Sequence, residues 1–139
     1  MRFMVIVKAN KESEAGVMPE DRLIAEMGRF HEELAKAGVL IDAAGLQASS
    51  KGWRIHYSGN ERSVVDGPFP ETKELIAGYT IIRTKTREEA IAWTKRYPNP
   101  APGIEGASIE VRQFFEIEDF VPGEGTETFR KLDIPGNAK

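Results

Sequence analysis

The chain has 139 residues, 40% of them apolar and 29% charged, a size and composition for which one hydrophobic core and a single domain are expected. A net charge of −3 with acidic and basic residues interspersed provides no basic stripe, so no nucleic acid is expected as a partner. The absence of cysteine removes disulfides, thiolate metal sites and cysteine nucleophiles together. With no apolar run near the roughly 20 residues that span a bilayer, the expectation is a cytoplasmic protein with no membrane role.

Residues 3–7 form a β-branched and aromatic run, apolar on both alternating faces, which predicts a central strand. Residues 8–17 are polar and predict a loop. A helix is predicted from Pro19, with Glu20 and Asp21 at the positive end of its dipole and Leu23, Met27, Phe30, Leu34 and Ala37 on one stripe; Gly38 ends it. Residues 39–46 predict a short strand. Trp53, Ile55 and Tyr57 alternate with Arg54 and His56, Gly59-Asn60 has the chemistry of a two-residue turn, and residues 63–65 return as the partner strand of a hairpin.

The hairpin leads to Asp66-Gly67-Pro68-Phe69-Pro70-Glu71-Thr72-Lys73-Glu74, a connector stiffened by two prolines and dense in charge. Residues 76–84 then predict a second central strand. Thr86-Arg87-Glu88-Glu89 reads as a capping box that opens a helix ended by Pro98. Ile109, Val111, Phe115 and Ile117 alternate with charged residues as a half-buried strand, and from Pro122 onward Gly, Pro and charge dominate. The expected organisation is a domain over residues 1–119 and a C-terminal tail over 120–139. The tail is either disordered or packed on a partner through Phe129 and Leu132.

The order β-α-β, hairpin, β-α-β predicts an α+β, ferredoxin-like fold with an antiparallel sheet. Two helices cover one face of such a sheet. The other face would carry Met4, Ile6 and Phe114 into water, so a homodimer that pairs these faces is expected.

The connector and the elements around it, over roughly residues 1–118, resemble the DGPF-type branch of the YCII-related proteins; Asp66-Gly67-Pro68-Phe69 followed by Glu71-Thr72-Lys73-Glu74 carries the resemblance. What it implies is a dimeric α+β barrel with a cleft near the motif. In the wider family a helix histidine and an aspartate near a Gly-Pro turn are the proposed active pair, which carries over to His31 and Asp66. The resemblance also implies an alternative, a non-catalytic accessory protein associated with an extracytoplasmic-function sigma factor.

The residues themselves leave several roles open. His31 lies at the edge of the helix's apolar stripe, a position that lines a cleft or faces water. Asp66 suits either acid-base work or acceptance of turn amides, since aspartate before glycine commonly does the latter. Glu71 and Lys73, two apart in an extended segment, pair with each other or line a pocket. Arg54 and His56 share a polar face, either solvated or anion-binding, and Phe69 is expected to pin the connector to the core. Two distant histidines in no metal-ligand spacing disfavour a metal, and no glycine-rich phosphate loop is present. The function expected is therefore a cofactor-free enzyme or enzyme-like binder of a small organic molecule. In it Asp66 is the acid-base group, and His31, Arg54 or Lys73 orients charge.

Overall fold

The two runs that are apolar on both faces become the inner strands of a four-stranded sheet in the computed structural model, which describes residues 1–137. The elements in chain order are β1 (Arg2–Lys8), α1 (Lys11–Glu14), α2 (Asp21–Lys36), β2 (Leu40–Gly45), β3 (Trp53–Ser58), β4 (Glu61–Asp66), β5 (Ile76–Arg83), α3 (Arg87–Lys95), β6 (Ile109–Gln113) and α4 (Glu124–Arg130). The sheet runs β2-β5-β1-β6 with every neighbour antiparallel, while β3 and β4 form a separate two-stranded sheet. This is the α+β, ferredoxin-like plan with an inserted hairpin.

Register decides which side chains meet the helices. Phe3 pairs with Ile82 and Val5 with Thr80, and all four are buried. On that face Phe3 and Ile82 join Phe30 and Leu34 from α2 and Ala90 from α3, with Trp93, Tyr97 and Val111 packed around them. The alternate residues Met4 and Ile6, opposite Ile81 and Tyr79, point the other way and are only half-buried.

Several local predictions change. The expected loop after β1 contains α1, a single turn made possible by a capping box: the Ser13 amide donates to Asn10 Oδ1 at 2.8 Å and the Asn10 amide donates to Ser13 Oγ at 2.9 Å. At α3, Thr86 Oγ1 accepts from the Glu89 amide as predicted, but Glu89 reaches back to the Lys85 amide, one residue earlier than the box requires. The last strand stops at Gln113 rather than near 117. After the Phe114 amide donates to Arg2 O the chain leaves the sheet, and Phe115 is 72% exposed. The tail forms α4, with Phe129 and Leu132 largely exposed and Asn137 Nδ2 donating to the carbonyls of both at 2.7 Å. Residues 138 and 139 lie outside the described residues.

Candidate functional site

The connector is held by a polar clasp that the linear sequence does not announce. Glu14, in α1, accepts hydrogen bonds from both the amide and the hydroxyl of Ser49, and Ser49 Oγ accepts from the Phe69 amide at 3.0 Å. Gly67 donates to Gly52 O at 3.0 Å, and a Cβ on Gly67 would sit 1.9 Å from Ser49 O, so only glycine passes here. Phe69 does not reach the core as expected; its ring lies under the Arg54 guanidinium at 3.8 Å.

Of the charged residues predicted for binding, Arg54 and Glu71 face each other at 3.5 Å. The Glu71–Lys73 pair does not form, because the 3-10 turn at Thr72–Glu74 ends the extended spacing on which it depended, and Lys73 is exposed. His56 is exposed on the hairpin, and Asp66 is exposed at its end, opposite Trp53.

His31 sits elsewhere. The N-terminal half of α2 leans over β2 and β5, and because Gly28, Ala43, Ala44, Gly45, Ala77 and Gly78 are small, a cleft of about 400 Å³ remains between helix and sheet. Gly78 is needed here for a second reason: its missing Cβ would meet Ala44 O at 3.0 Å across the strand pair. The rest of the wall is Val7, Ile24, Met27 and Tyr79, and its polar corner is made of His31, Thr80 and Tyr97.

In that corner His31 Nδ1 is 2.7 Å from Met27 O, Nε2 is 2.7 Å from Thr80 Oγ1, and Thr80 Oγ1 is 3.0 Å from Tyr97 Oη. A carbonyl oxygen only accepts, so Nδ1 carries the proton and, in the neutral ring, Nε2 accepts from Thr80. Thr80 then has only lone pairs left for Tyr97, whose hydroxyl donates to it. The direction of the line is fixed by its far end. Phe30 edges against both the His31 and Tyr97 rings, with centroids at 5.9 and 5.4 Å, and holds them in place. Burial raises the Tyr97 phenol above its usual range.

Asp66 is not among the residues that line the cleft, so within one protomer the structure does not bring the expected His31 and Asp66 together. Thr80 and Tyr97 were missed as polar partners. The available signal was Thr80 itself, a hydroxyl on the helix-facing side of a buried strand, which needs a partner because an unsatisfied one costs about 1–3 kcal/mol. Among the described residues no group of three or more His, Cys, Asp or Glu stands together as metal ligands would, and no helix is long and apolar enough to cross a membrane.

An uncharacterized protein of Rhizobium meliloti is 29% identical over 105 residues, which cover 76% of this chain and 81% of the relative. A 5-chloro-2-hydroxyhydroquinone dehydrochlorinase from Burkholderia phenoliruptrix, solved in complex with 2,5-dihydroxybenzoquinone, is 11% identical with a TM-score of 0.43, over 84% of this chain and 95% of that one. The YCII-related domain family matches residues 1–115, and the chain therefore belongs to the YCII-related family.

Proposed function

We propose that the chain binds a small neutral organic molecule in the cleft at His31 and has the machinery to move a proton on it without a cofactor. The observation that carries this reading is the hydrogen-bonded line from Tyr97 through Thr80 to His31 at a polar corner of a mainly apolar cleft. Among the described residues no Lys, Arg, Asp or Glu lines the cleft, so a charged ligand would lose its hydration with little to replace it, and a neutral molecule with one hydroxyl or carbonyl fits better. The proton path follows from the bond directions. Tyr97 Oη takes a proton from a ligand hydroxyl while its own passes to Thr80 and that of Thr80 passes to His31 Nε2; the reverse shift delivers a proton to the ligand. The cleft supports a small-molecule role over an accessory one, and in this reading the acid-base group is His31 in place of Asp66.

A homodimer belongs to the same reading, since α2 and α3 cover one face of the sheet and leave Met4, Ile6 and Ile81 half-buried on the other.

The test is nuclear magnetic resonance on protein labelled at histidine, of which there are two. Phenol and cyclohexanone, a hydroxyl and a carbonyl on a six-membered ring, should shift the His31 ring resonances and leave those of His56 in place, and Tyr97→Phe should weaken the response. Equal shifts at both histidines, or none at millimolar ligand, would remove the cleft from consideration as a binding site.

A further inference from the structure

The hairpin β3–β4 carries an apolar surface that nothing among the described residues covers. Opposite residues in an antiparallel pair project to the same side, so the pairs Trp53–Asp66, Ile55–Val64 and Tyr57–Arg62 share one face. Trp53 is 63% exposed, Tyr57 68% and Val64 64%, which makes this face largely bare. Isolated two-stranded hairpins are marginal in water, and this one is rooted only at the clasp around Ser49 and Phe69. Its charges are placed at the ends: Asp66 at the root beside Trp53, Arg62 near the tip, where its guanidinium lies 4.9 Å over the Tyr57 ring. The two are four residues apart on one strand, about 13 Å at the rise of an extended chain, too far to pair with each other.

We propose that this face is an interface with a second copy of the chain, two hairpins packing face to face about a two-fold axis that crosses the strands between Ile55 and Val64. That axis inverts the strand direction. It lays Asp66 of one protomer against Arg62 of the other at both ends of the patch, sets Trp53 against Tyr57, and brings the two Ile55 and the two Val64 side chains together in the middle. The patch is self-complementary, as a two-fold interface requires: an acidic end meets a basic end twice, with an apolar centre between. The alternative axis, parallel to the strands, stacks like ends on like ends and pairs no charges. The hairpin lines no part of the cleft at His31 and pairs with no strand of the four-stranded sheet, so in this proposal it forms dimers by itself and tetramers if the sheet faces also pair.

Sedimentation velocity on the full chain, from low micromolar to about 100 μM, tests it through charge reversal. Arg62→Asp or Asp66→Arg alone should weaken the association step by about tenfold or more, because each sets like charges together at both ends, while the double variant R62D/D66R should recover to within about threefold of the original. Circular dichroism establishes that each variant is folded. A cysteine-free background permits a second reading: Val64→Cys, treated with a short bismaleimide, should yield a cross-linked dimer at low micromolar protein. A chain that stays monomeric at about 100 μM overturns the proposal. So does association that neither single reversal weakens, a folded double variant that fails to recover, or a Val64→Cys protein that associates but does not cross-link.

Discussion

The inner strands of the sheet are apolar on both faces and the hairpin is apolar mainly on one, and the two also differ in what lies against those apolar residues. On β1 and β5 the alternate residues Phe3, Val5, Thr80 and Ile82 are buried under two helices, with Ile82 and Leu34 each 1% exposed. On β3 and β4 every apolar residue is exposed. Alternation in sequence thus marks which side of a strand is apolar, and the covering element decides whether burial follows. The difference should show most strongly in paired truncations. Leu34→Ala opens a cavity in a closed core and should cost about 3–5 kcal/mol, while Val64→Ala, at a bare position, should stay within about 0.5 kcal/mol at concentrations where the chain is monomeric. Urea denaturation of both proteins makes the comparison. Equal losses would mean that the hairpin face is covered within the protomer.

How much of this was legible beforehand depends on how local the determinants are. Strand and helix periodicity, the Gly38 and Thr86 helix boundaries and the Gly59-Asn60 turn are set by residues within a few positions of one another, and the order of elements followed from them. The single turn α1 escaped because its only signal is the reciprocal bonding of Asn10 and Ser13, too short for any period to register. His31 is marked by the family resemblance and by its place at the edge of the α2 stripe, but its partner Thr80 lies 49 residues away and Tyr97 a further 17, so nothing in the spacing joins them. Asp66 was chosen from the stiffness of its segment. The course of that segment is set by Glu14, Ser49 and Gly52, contacts from distant parts of the chain that leave Asp66 exposed on the hairpin and off the cleft wall.

The root of the hairpin sharpens the contrast, since it combines exposed strands with a close-packed attachment. Gly67→Ala adds a carbon where Ser49 O stands 1.9 Å away, and backbone cannot move aside as a flexible side chain would. We expect a loss of about 1–3 kcal/mol, less than that for Leu34→Ala, because the strain can be relieved by releasing the hairpin while the four-stranded sheet persists. Limited proteolysis separates the two modes. Cleavage confined to residues 49–74 would be local release, and simultaneous loss of core amide protection in hydrogen exchange would mean that the clasp supports the whole fold.

The smallest effect expected is a dependence on alkaline pH that belongs to the buried layer. Tyr97 has its phenol raised above the usual 10.0, chiefly by burial. The unfolded chain therefore gives up this proton at a lower pH than the folded one. The contribution to stability is intact below about pH 10 and is lost as pH rises from there through the folded-state value. Tyr79 adds a fall of the same sign for a different reason, because its hydroxyl donates to Asp42 and the Asp42 charge resists the phenolate, at a position open to solvent. Tyr97→Phe should then make the decline in urea midpoint between about pH 9 and about pH 11 shallower without abolishing it. Salt divides what remains: at about 1 M the Debye length shrinks to roughly 3 Å, which weakens the Asp42 charge effect on Tyr79 but leaves a burial penalty untouched. If Tyr97→Phe leaves the alkaline slope unchanged in both low and high salt, the phenol is titrating in contact with water, and the corner of the cleft that it shares with His31 and Thr80 is wetter than its packing against Phe30 implies.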